Sequence, residues 1–416
     1  MKRIASKNTV IQFSSLLFSN YSLVVISFII SILMTETMSE TDFGYYRYAL
    51  TIITMCVSLI NFGYHYSSAR LIAVKEENEG QAIMSVTTIV MFVISVGFSL
   101  VALLILYIIN LKITPVDTVA FWAVSLVFAL LLQQMFKTIL KGNNRINDII
   151  IQTSLPSVII LITYLIIWIN DYKLDFKTAL TVYGATHIVI HCITWIRLKL
   201  YIPVNFIEVF KVLINENKTN GFQLYKGAIA GVFIADLLTV IVGATVDKAL
   251  FGMYSLALSL SAPITTIPHT MATIKYKENA NSQKLQTKNI VFTVMISIIG
   301  LIVLNIGVNV LFPVFYSDRY NGALDYLLIC SFTFLVHGFG DYFNQFCAAH
   351  GLGKNLKFGA YFTGGTQLIF TIFLTPIWGL WGLIIAKFIS STVYFCCMFV
   401  NYVRFTSRTT PKEVAE

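Results

Sequence analysis

Twelve apolar runs, near residues 10–34, 43–63, 82–109, 118–140, 149–169, 178–200, 222–244, 252–273, 290–311, 323–346, 358–377 and 380–402, constrain this chain more than anything else in it. Each is about 18 to 26 residues long, and a helix rising about 1.5 Å per residue crosses a hydrocarbon layer of about 30 Å in that length. Transmembrane β-strands would alternate over about ten residues, and these runs do not alternate. Hydrocarbon offers no partner to a backbone amide, so the chain must supply its own, which leaves the helix. The balance of residues agrees: 57% are hydrophobic and 12% charged, about half the charged share of a soluble domain. The predicted fold class is an all-α integral membrane protein of about twelve spans.

A net charge of +9 raises the question of a nucleic-acid partner, and the placement of the basic residues answers it. Put the amino terminus in the cytoplasm, and that side of the membrane receives 21 of the 29 lysines and arginines, from Lys2, Arg3 and Lys7 to Arg404, Arg408 and Lys412. The other side receives six: Arg47, Lys112, Lys173, Lys177, Lys248 and Arg319. This is the positive-inside bias; it places both termini in the cytoplasm and makes the basicity a topology signal, with no nucleic acid required. "MKRIASKNTV" starts like a signal peptide, but the run after it is too long and "MTETMSE" offers no small-residue cleavage site, so a retained first helix is expected. Cys56, Cys192, Cys330, Cys347, Cys396 and Cys397 sit in or at the ends of apolar runs and read as small buried hydrophobes, without disulfide or zinc spacing.

The chain repeats itself. "FGYYRYALTI" at 43–52 and "FGMYSLALSL" at 251–260 agree at Phe43/Phe251, Gly44/Gly252, Tyr46/Tyr254, Ala49/Ala257 and Leu50/Leu258, an offset of 208 in 416 residues. "QQMFKTILKGNNRIND" and "NQFCAAHGLGKNLK" pair Gln134 with Gln345, Gly142 with Gly353 and Asn144 with Asn355 at 211. Six helices followed by six more, both series entering from the cytoplasm, make a parallel repeat. The expected architecture is two six-helix bundles around a central cavity: an N-terminal lobe over 1–200, a cytoplasmic amphipathic linker over 201–221, a C-terminal lobe over 222–403 and a tail over 404–416. In the linker Asn205, Glu208, Lys211 and Asn215 take one helical face, and Phe206, Phe210, Leu213 and Ile214 the other.

Ionisable side chains inside a bilayer cost about 3 kcal/mol or more and normally face an aqueous cavity or a protein interior. Lys226 and Asp236 lie in helix 7, with Asp236 beyond the middle of the layer and Lys226 near enough to the surface to snorkel. His337 and Asp341 in helix 10 are i and i+4 on one face. Lys387 is well inside helix 12. Arg47 opens helix 2 among Tyr45, Tyr46 and Tyr48, as a rim residue or as a guanidinium fork for a phosphate. His187 and His191, again i and i+4, have metal spacing, but without a third ligand nearby they read rather as satisfied buried or cavity-lining imidazoles. Pro263 and Pro268 favour a bend beside His269 in helix 8. Tyrosine clusters such as "FGYYRYA" and "YHY" offer stacking faces or interfacial belt. The charges do not repeat at 208: Asp236 falls on Phe28, Lys226 on Phe18 and Arg47 on Ser255. A duplicated scaffold with an unduplicated site suits a lopsided cargo. Walker, "HExxH" and "GxSxG" signatures are absent, and "GLGK" at 351–354 lacks the phosphate-loop spacing.

Across nearly its whole length the sequence resembles the O-antigen and polysaccharide flippases of the multidrug/oligosaccharidyl-lipid/polysaccharide exporter superfamily. The basic amino terminus, "TDFGYYRYALTI", "NFGYHYSSARLIA", "GNNR" and "GLWGLIIA" carry the likeness. The resemblance implies a transporter, not an enzyme, that moves an undecaprenyl-diphosphate-linked oligosaccharide across a bacterial inner membrane while two lobes rock about a cavity. It implies no cofactor, and cavity roles for Lys226, Asp236, Asp341 and Lys387. Arg47, Arg70 and Lys226 are the basic groups expected to neutralise the diphosphate, and Asp236 or Asp341 is expected to sense a proton or sodium gradient, because driving the cycle needs differential binding to its two states. Partners would be the lipid-linked substrate, membrane lipid and other polysaccharide assembly proteins. Two alternatives stay open: a cation-coupled drug antiporter of the same superfamily, and a polytopic glycan polymerase or acyltransferase, which would need a larger periplasmic loop.

Overall fold

The structure, a computed structural model, describes residues 7–112, 117–143, 145–274, 279, 282–350 and 352–409. The apolar runs are helices, in the order α1 (Lys7–Thr37), α2 (Glu40–Ile60), α3 (Tyr64–Val74), α4 (Glu77–Lys112), α5 (Thr118–Ser125), α6 (Val127–Gly142), α7 (Ile146–Ile169) and α8 (Phe176–Arg197). There follow α9 (Phe206–Glu216), α10 (Phe222–Ala228), α11 (Ile234–Thr245), α12 (Lys248–Ser261) and α13 (Pro263–Ile274). The series ends with α14 (Thr287–Phe315), α15 (Gly322–Ala349), α16 (Gly353–Trp378) and α17 (Leu380–Thr409). Among the described residues nine helical stretches are long and apolar enough to cross a membrane, and Ser22–Thr37 and Ile234–Thr245 are shorter apolar helices. With α16 they account for the twelve expected runs; α5–α6 and α12–α13 are each one span broken into two helices, and α10 and α11 are joined through a π-helical turn.

What the helices bury is the reverse of a water-soluble pattern. Helix α4 turns Ser85, Thr87, Thr88, Ser95 and Ser99 inward and leaves Val93, Leu100, Val101, Leu104 and Leu111 outward. Helix α14 does the same, burying Thr293 and Ser297 and exposing Ile299, Val303, Ile306 and Val310. Apolar surface on this scale is stable only against lipid. Some of the inward hydroxyls bond across helices: Ser99 Oγ donates to the Val124 carbonyl at 2.9 Å and Ser331 Oγ to Ser261 Oγ at 3.2 Å.

Helix starts carry the duplication. Ser39 caps α2 by accepting from the Asp42 amide, and Asp247, 208 residues on, caps α12 by accepting from Ala249 and Leu250. Asp175 caps α8 in the same way, and its hydrogen bonding with Thr178 holds its carboxyl below the ordinary aspartate range. A depressed value means that this cap stabilises fully above the ordinary pKa and is lost as the pH falls through the folded one. Asp175→Ala is expected to cost about 1 kcal/mol in thermal unfolding, with Asp175→Asn retaining most of it.

The chain divides into two compact units, unit 1 over Met1–Ile229 and unit 2 over Ala230–Glu416. The amphipathic segment is helical as expected, with Leu213 buried and Glu208 and Lys211 exposed, but it does not stop at Gly221. Helix α9 passes through a π-helical turn, Asn217–Gly221, into α10, and a second such turn, Ile229–Phe233, leads into α11. Helix 8 breaks where its prolines predict: α12 ends at Ser261, and Pro263, which needs no amide partner in a first turn, starts α13. One pairing of the repeat needs correction. Gly142 closes α6 whereas Gly353 opens α16, so the matching letters around them lie about one turn out of structural register. Cys56, Cys330 and Cys347 are buried, while Cys192 and Cys396 are exposed on outward faces, where the surrounding side chains are apolar.

Candidate functional site

Each unit encloses a polar interior, and the two differ in charge. In unit 1, α2 brings Tyr46 and Arg47, α7 brings Tyr164 and α8 brings Tyr183, His187 and His191. Tyr46 and Tyr164 are both buried, 6% and 0% exposed, and the Arg47 guanidinium lies within electrostatic reach of both hydroxyls and 5.0 Å from the Phe43 ring centre. Tyr183 packs on His187 at 4.4 Å and His187 on His191 at 5.7 Å, and His191 Nε2 lies 2.9 Å from the Ala129 carbonyl. The histidine pair is thus part of a buried aromatic row in which His191 bonds to backbone.

In unit 2, α11 supplies Asp236, α12 Tyr254, α15 His337 and Asp341, and α17 Lys387 and Tyr394. Lys387 lies within electrostatic reach of Tyr254, Asp236 and Cys330, and His337 within reach of both Asp341 and Lys387. The Tyr394 hydroxyl donates to Asp341 Oδ1 at 2.9 Å and accepts from Asn344 Nδ2 at 2.7 Å, and the Tyr394 ring stacks on His337 at 4.8 Å and 24°. Two carboxylates, one ammonium and one imidazole therefore share this interior.

Of the six candidates read from the sequence, Asp236, Asp341 and Lys387 come together through His337 in this one cluster. Arg47 stands in unit 1 among tyrosines. Arg70 and Lys226 belong to neither interior. Arg70, 60% exposed, pairs with Glu216 of α9 at 2.7 Å, and Lys226 is exposed with its ammonium 4.9 Å from the Phe222 ring centre.

The residues that composition did not single out are the tyrosines. Tyr46 and Tyr254 are each the seventh residue of their helices, α2 and α12, and both are buried. Tyr183 and Lys387 are each the eighth residue of α8 and α17. Tyr46 lies within electrostatic reach of Tyr183, and Tyr254 of Lys387. The duplicated scaffold thus sets one buried tyrosine against one position of a neighbouring helix in both units, and the second position is a phenol in unit 1 and an ammonium in unit 2. The shared "FG-x-Y" letters were the available signal for the tyrosines.

A family model described as "Polysaccharide biosynthesis protein" matches residues 10–273. Three solved structures share the fold. The lipid II flippase MurJ in an inward closed conformation aligns with 94% of this chain and 90% of its own, at 13% identity and a TM-score of 0.67. An inward-facing multidrug resistance MATE family transporter of the MOP superfamily aligns over 94% and 96%, at 12% and 0.63. A MOP superfamily transporter from Pyrococcus furiosus, described as having a binding pocket of reverse polarity, aligns over 96% of both chains at 13% and 0.55. No curated protein matches the sequence significantly. At these identities the structural likeness speaks for the fold alone: an all-helical, multi-pass membrane fold.

Proposed function

This chain belongs to the polysaccharide biosynthesis protein family, and from that premise we propose that it is a flippase for an undecaprenyl-diphosphate-linked oligosaccharide, an O-antigen or related polysaccharide repeat unit, working in a bacterial inner membrane. A diphosphate with several sugars cannot cross hydrocarbon unaided. A protein that carries it needs a cationic fork for the phosphates, hydroxyl and aromatic faces for the sugars, and a separate group whose charge differs between the two ends of the cycle. The observation that supports this reading best is the division of labour between the two interiors. Unit 1 surrounds a guanidinium with tyrosines and histidines, and unit 2 holds two carboxylates against a lysine and a histidine.

On this reading Arg47, backed by the buried Tyr46 and Tyr164, receives the diphosphate while the half-buried Tyr183 faces the first sugar, and the polyprenyl chain stays in lipid. Asp236 and Asp341 take up a proton or a sodium ion. Such an ion drives the cycle only by binding one state better than the other.

The test is uptake of a fluorescent lipid-linked oligosaccharide in proteoliposomes made with the full chain. Arg47→Gln is expected to slow translocation about tenfold, and Arg47→Lys not to restore it, because an ammonium cannot grip two phosphate oxygens as a planar fork does. Drug efflux with no movement of the lipid-linked glycan would favour the antiporter reading instead. Deleting the gene should leave repeat units on the cytoplasmic leaflet; correctly exported but unpolymerised units would point to a polymerase.

A further inference from the structure

Between α16 and α17, unit 2 has an outward-opening crevice of about 430 Å3. Its floor is Gly359, where a Cβ would meet the end of the Met398 side chain. Along its sides lie Phe358, Phe362 and Val400, respectively 61%, 63% and 42% exposed. Its mouth carries Asn355, Asn401 and Arg404. The crevice is amphipathic along one axis, from aromatic and aliphatic walls to two amides and a guanidinium that makes no ion pair among the described residues.

The internal repeat supplies a control for what this crevice would look like if it were merely packing. Counting from the first residue of each helix, Asn355 and Gly359 hold the third and seventh places of α16, where α7 has Asp148 and Gln152. Met398 and Asn401 hold the nineteenth and twenty-second places of α17, where α8 has Thr194 and Arg197. In unit 1 those residues close the gap. Arg197 donates to Asp148 Oδ1 through Nη2 at 2.9 Å and Nε at 3.1 Å, and Gln152 Nε2 donates to Thr194 Oγ1. Unit 2 replaces the ion pair with two amides and the glutamine with glycine, leaving space where its counterpart has a bridge. One turn beyond Asn401 it adds Arg404, whose place in α8's series is past that helix's end.

We propose that this crevice binds an anionic phospholipid, with the phosphate held by Arg404, Asn355 and Asn401 and an acyl chain lying along Phe358, Phe362 and Val400. A phosphodiester carries one negative charge and needs few donors. One guanidinium and two amide groups match it, whereas a diphosphate with sugars attached would overfill both the charge and the volume. The walls face outward to lipid, and on the topology that the lysines and arginines give, the mouth lies at the cytoplasmic leaflet. The site goes beyond the transport reading and does not depend on which cargo is carried.

Native mass spectrometry of the purified full-length chain, offered equimolar phosphatidylglycerol and phosphatidylcholine, tests it. The wild type is expected to retain phosphatidylglycerol about tenfold over phosphatidylcholine, the ratio that one charge-assisted contact supports. Arg404→Gln should bring the ratio to near one. So should the pair Asn355→Asp with Asn401→Arg, which installs the bridge of unit 1, and this variant should melt no lower than wild type, separating closure from misfolding. Lys357→Gln, nearby on α16 with its ammonium 5.4 Å from the Tyr361 ring centre, should keep the preference. A wild-type ratio in Arg404→Gln or in the bridged variant overturns the proposal, as does equal loss in Lys357→Gln. Displacement of phosphatidylglycerol from the wild type by equimolar polyprenyl phosphate overturns it too, since the occupant would then be the carrier of the substrate.

Discussion

Replacing Lys387 by methionine is expected to destabilise the protein by about 1–3 kcal/mol, the cost of leaving its polar partners unsatisfied in a half-buried cluster. Lys387 faces the Asp236 carboxylate and the hydroxyl of Tyr254, which is 1% exposed. Methionine fills the volume of the stem but offers neither a charge nor a donor, so Asp236 loses the cation it faces. Asp236→Asn on its own strands the ammonium, and is expected to cost a similar amount. The informative variant carries both changes. An asparagine facing a methionine has no net charge to solvate, so the double variant should recover most of the stability, giving a coupling of about 2–3 kcal/mol in a double-mutant cycle measured by thermal unfolding in detergent. It should not recover transport, because the group whose charge is to change through the cycle is gone. Additive losses in the cycle would mean that the two side chains do not share a site. Full transport by the double variant, or by Asp236→Asn with Asp341→Asn under any imposed gradient, would remove unit 2 from energy coupling.

The number of spans was legible because hydrophobic length is a local property: the runs at 82–109 and 290–311 lie inside α4 (Glu77–Lys112) and α14 (Thr287–Phe315) and need no tertiary information. The duplication was legible at α2 and α12, where caps, glycines and tyrosines recur together, and misleading around Gly142 and Gly353, where helix-end letters matched out of register. Charge was half-legible. A lysine or aspartate in an apolar run announces that it needs a partner, and Asp236, Asp341 and Lys387 found theirs in one cluster. The same rule cannot tell a residue one turn from the surface from one facing inward, which is why Arg70 and Lys226 read as candidates yet sit at the periphery. Tyrosines were the reverse case. With 21 of them and 32 phenylalanines in the chain, identity alone does not separate an inward phenol such as Tyr164 from an outward one such as Tyr107, 56% exposed; only the neighbouring helix does. The π-helical turns around α10 had no local signature beyond Gly221 and Gly231, since an extra residue in a turn is fixed by what the turn packs against.

That packing gives the second large effect. Gly63→Ala and Gly221→Ala are each expected to cost about 2–4 kcal/mol, from overpacking at both positions and, at Gly63, backbone strain as well. Between α2 and α3 the chain turns through Phe62 and Gly63 with φ of 46° and 80°, and the Asn61 side chain accepts from the Gly63 amide at 3.0 Å. The π-helical turn Asn217–Gly221 seats on this corner. Asn217 Nδ2 donates to the Phe62 carbonyl at 3.1 Å, Ser67 Oγ donates to Asn217 Oδ1 at 3.0 Å, and the Tyr225 hydroxyl donates to the Leu59 carbonyl at 2.5 Å. A Cβ at Gly63 would collide with the Gly221 carbonyl, which is backbone and cannot swing aside. One at Gly221 would collide with Ser67 Oγ and Asn217 Oδ1, breaking the bonds that hold the turn. Both variants should therefore lower the melting temperature and speed amide exchange across residues 217–228, through which the chain runs into the helix bearing Asp236. Gly63→Asn separates the two causes at that corner. Asparagine tolerates a left-handed φ far better than alanine, so if strain dominates it recovers much of the loss, and if the collision with Gly221 dominates it falls as far as alanine does. Unchanged melting and exchange in Gly221→Ala would show that the turn does not rest on this corner at all.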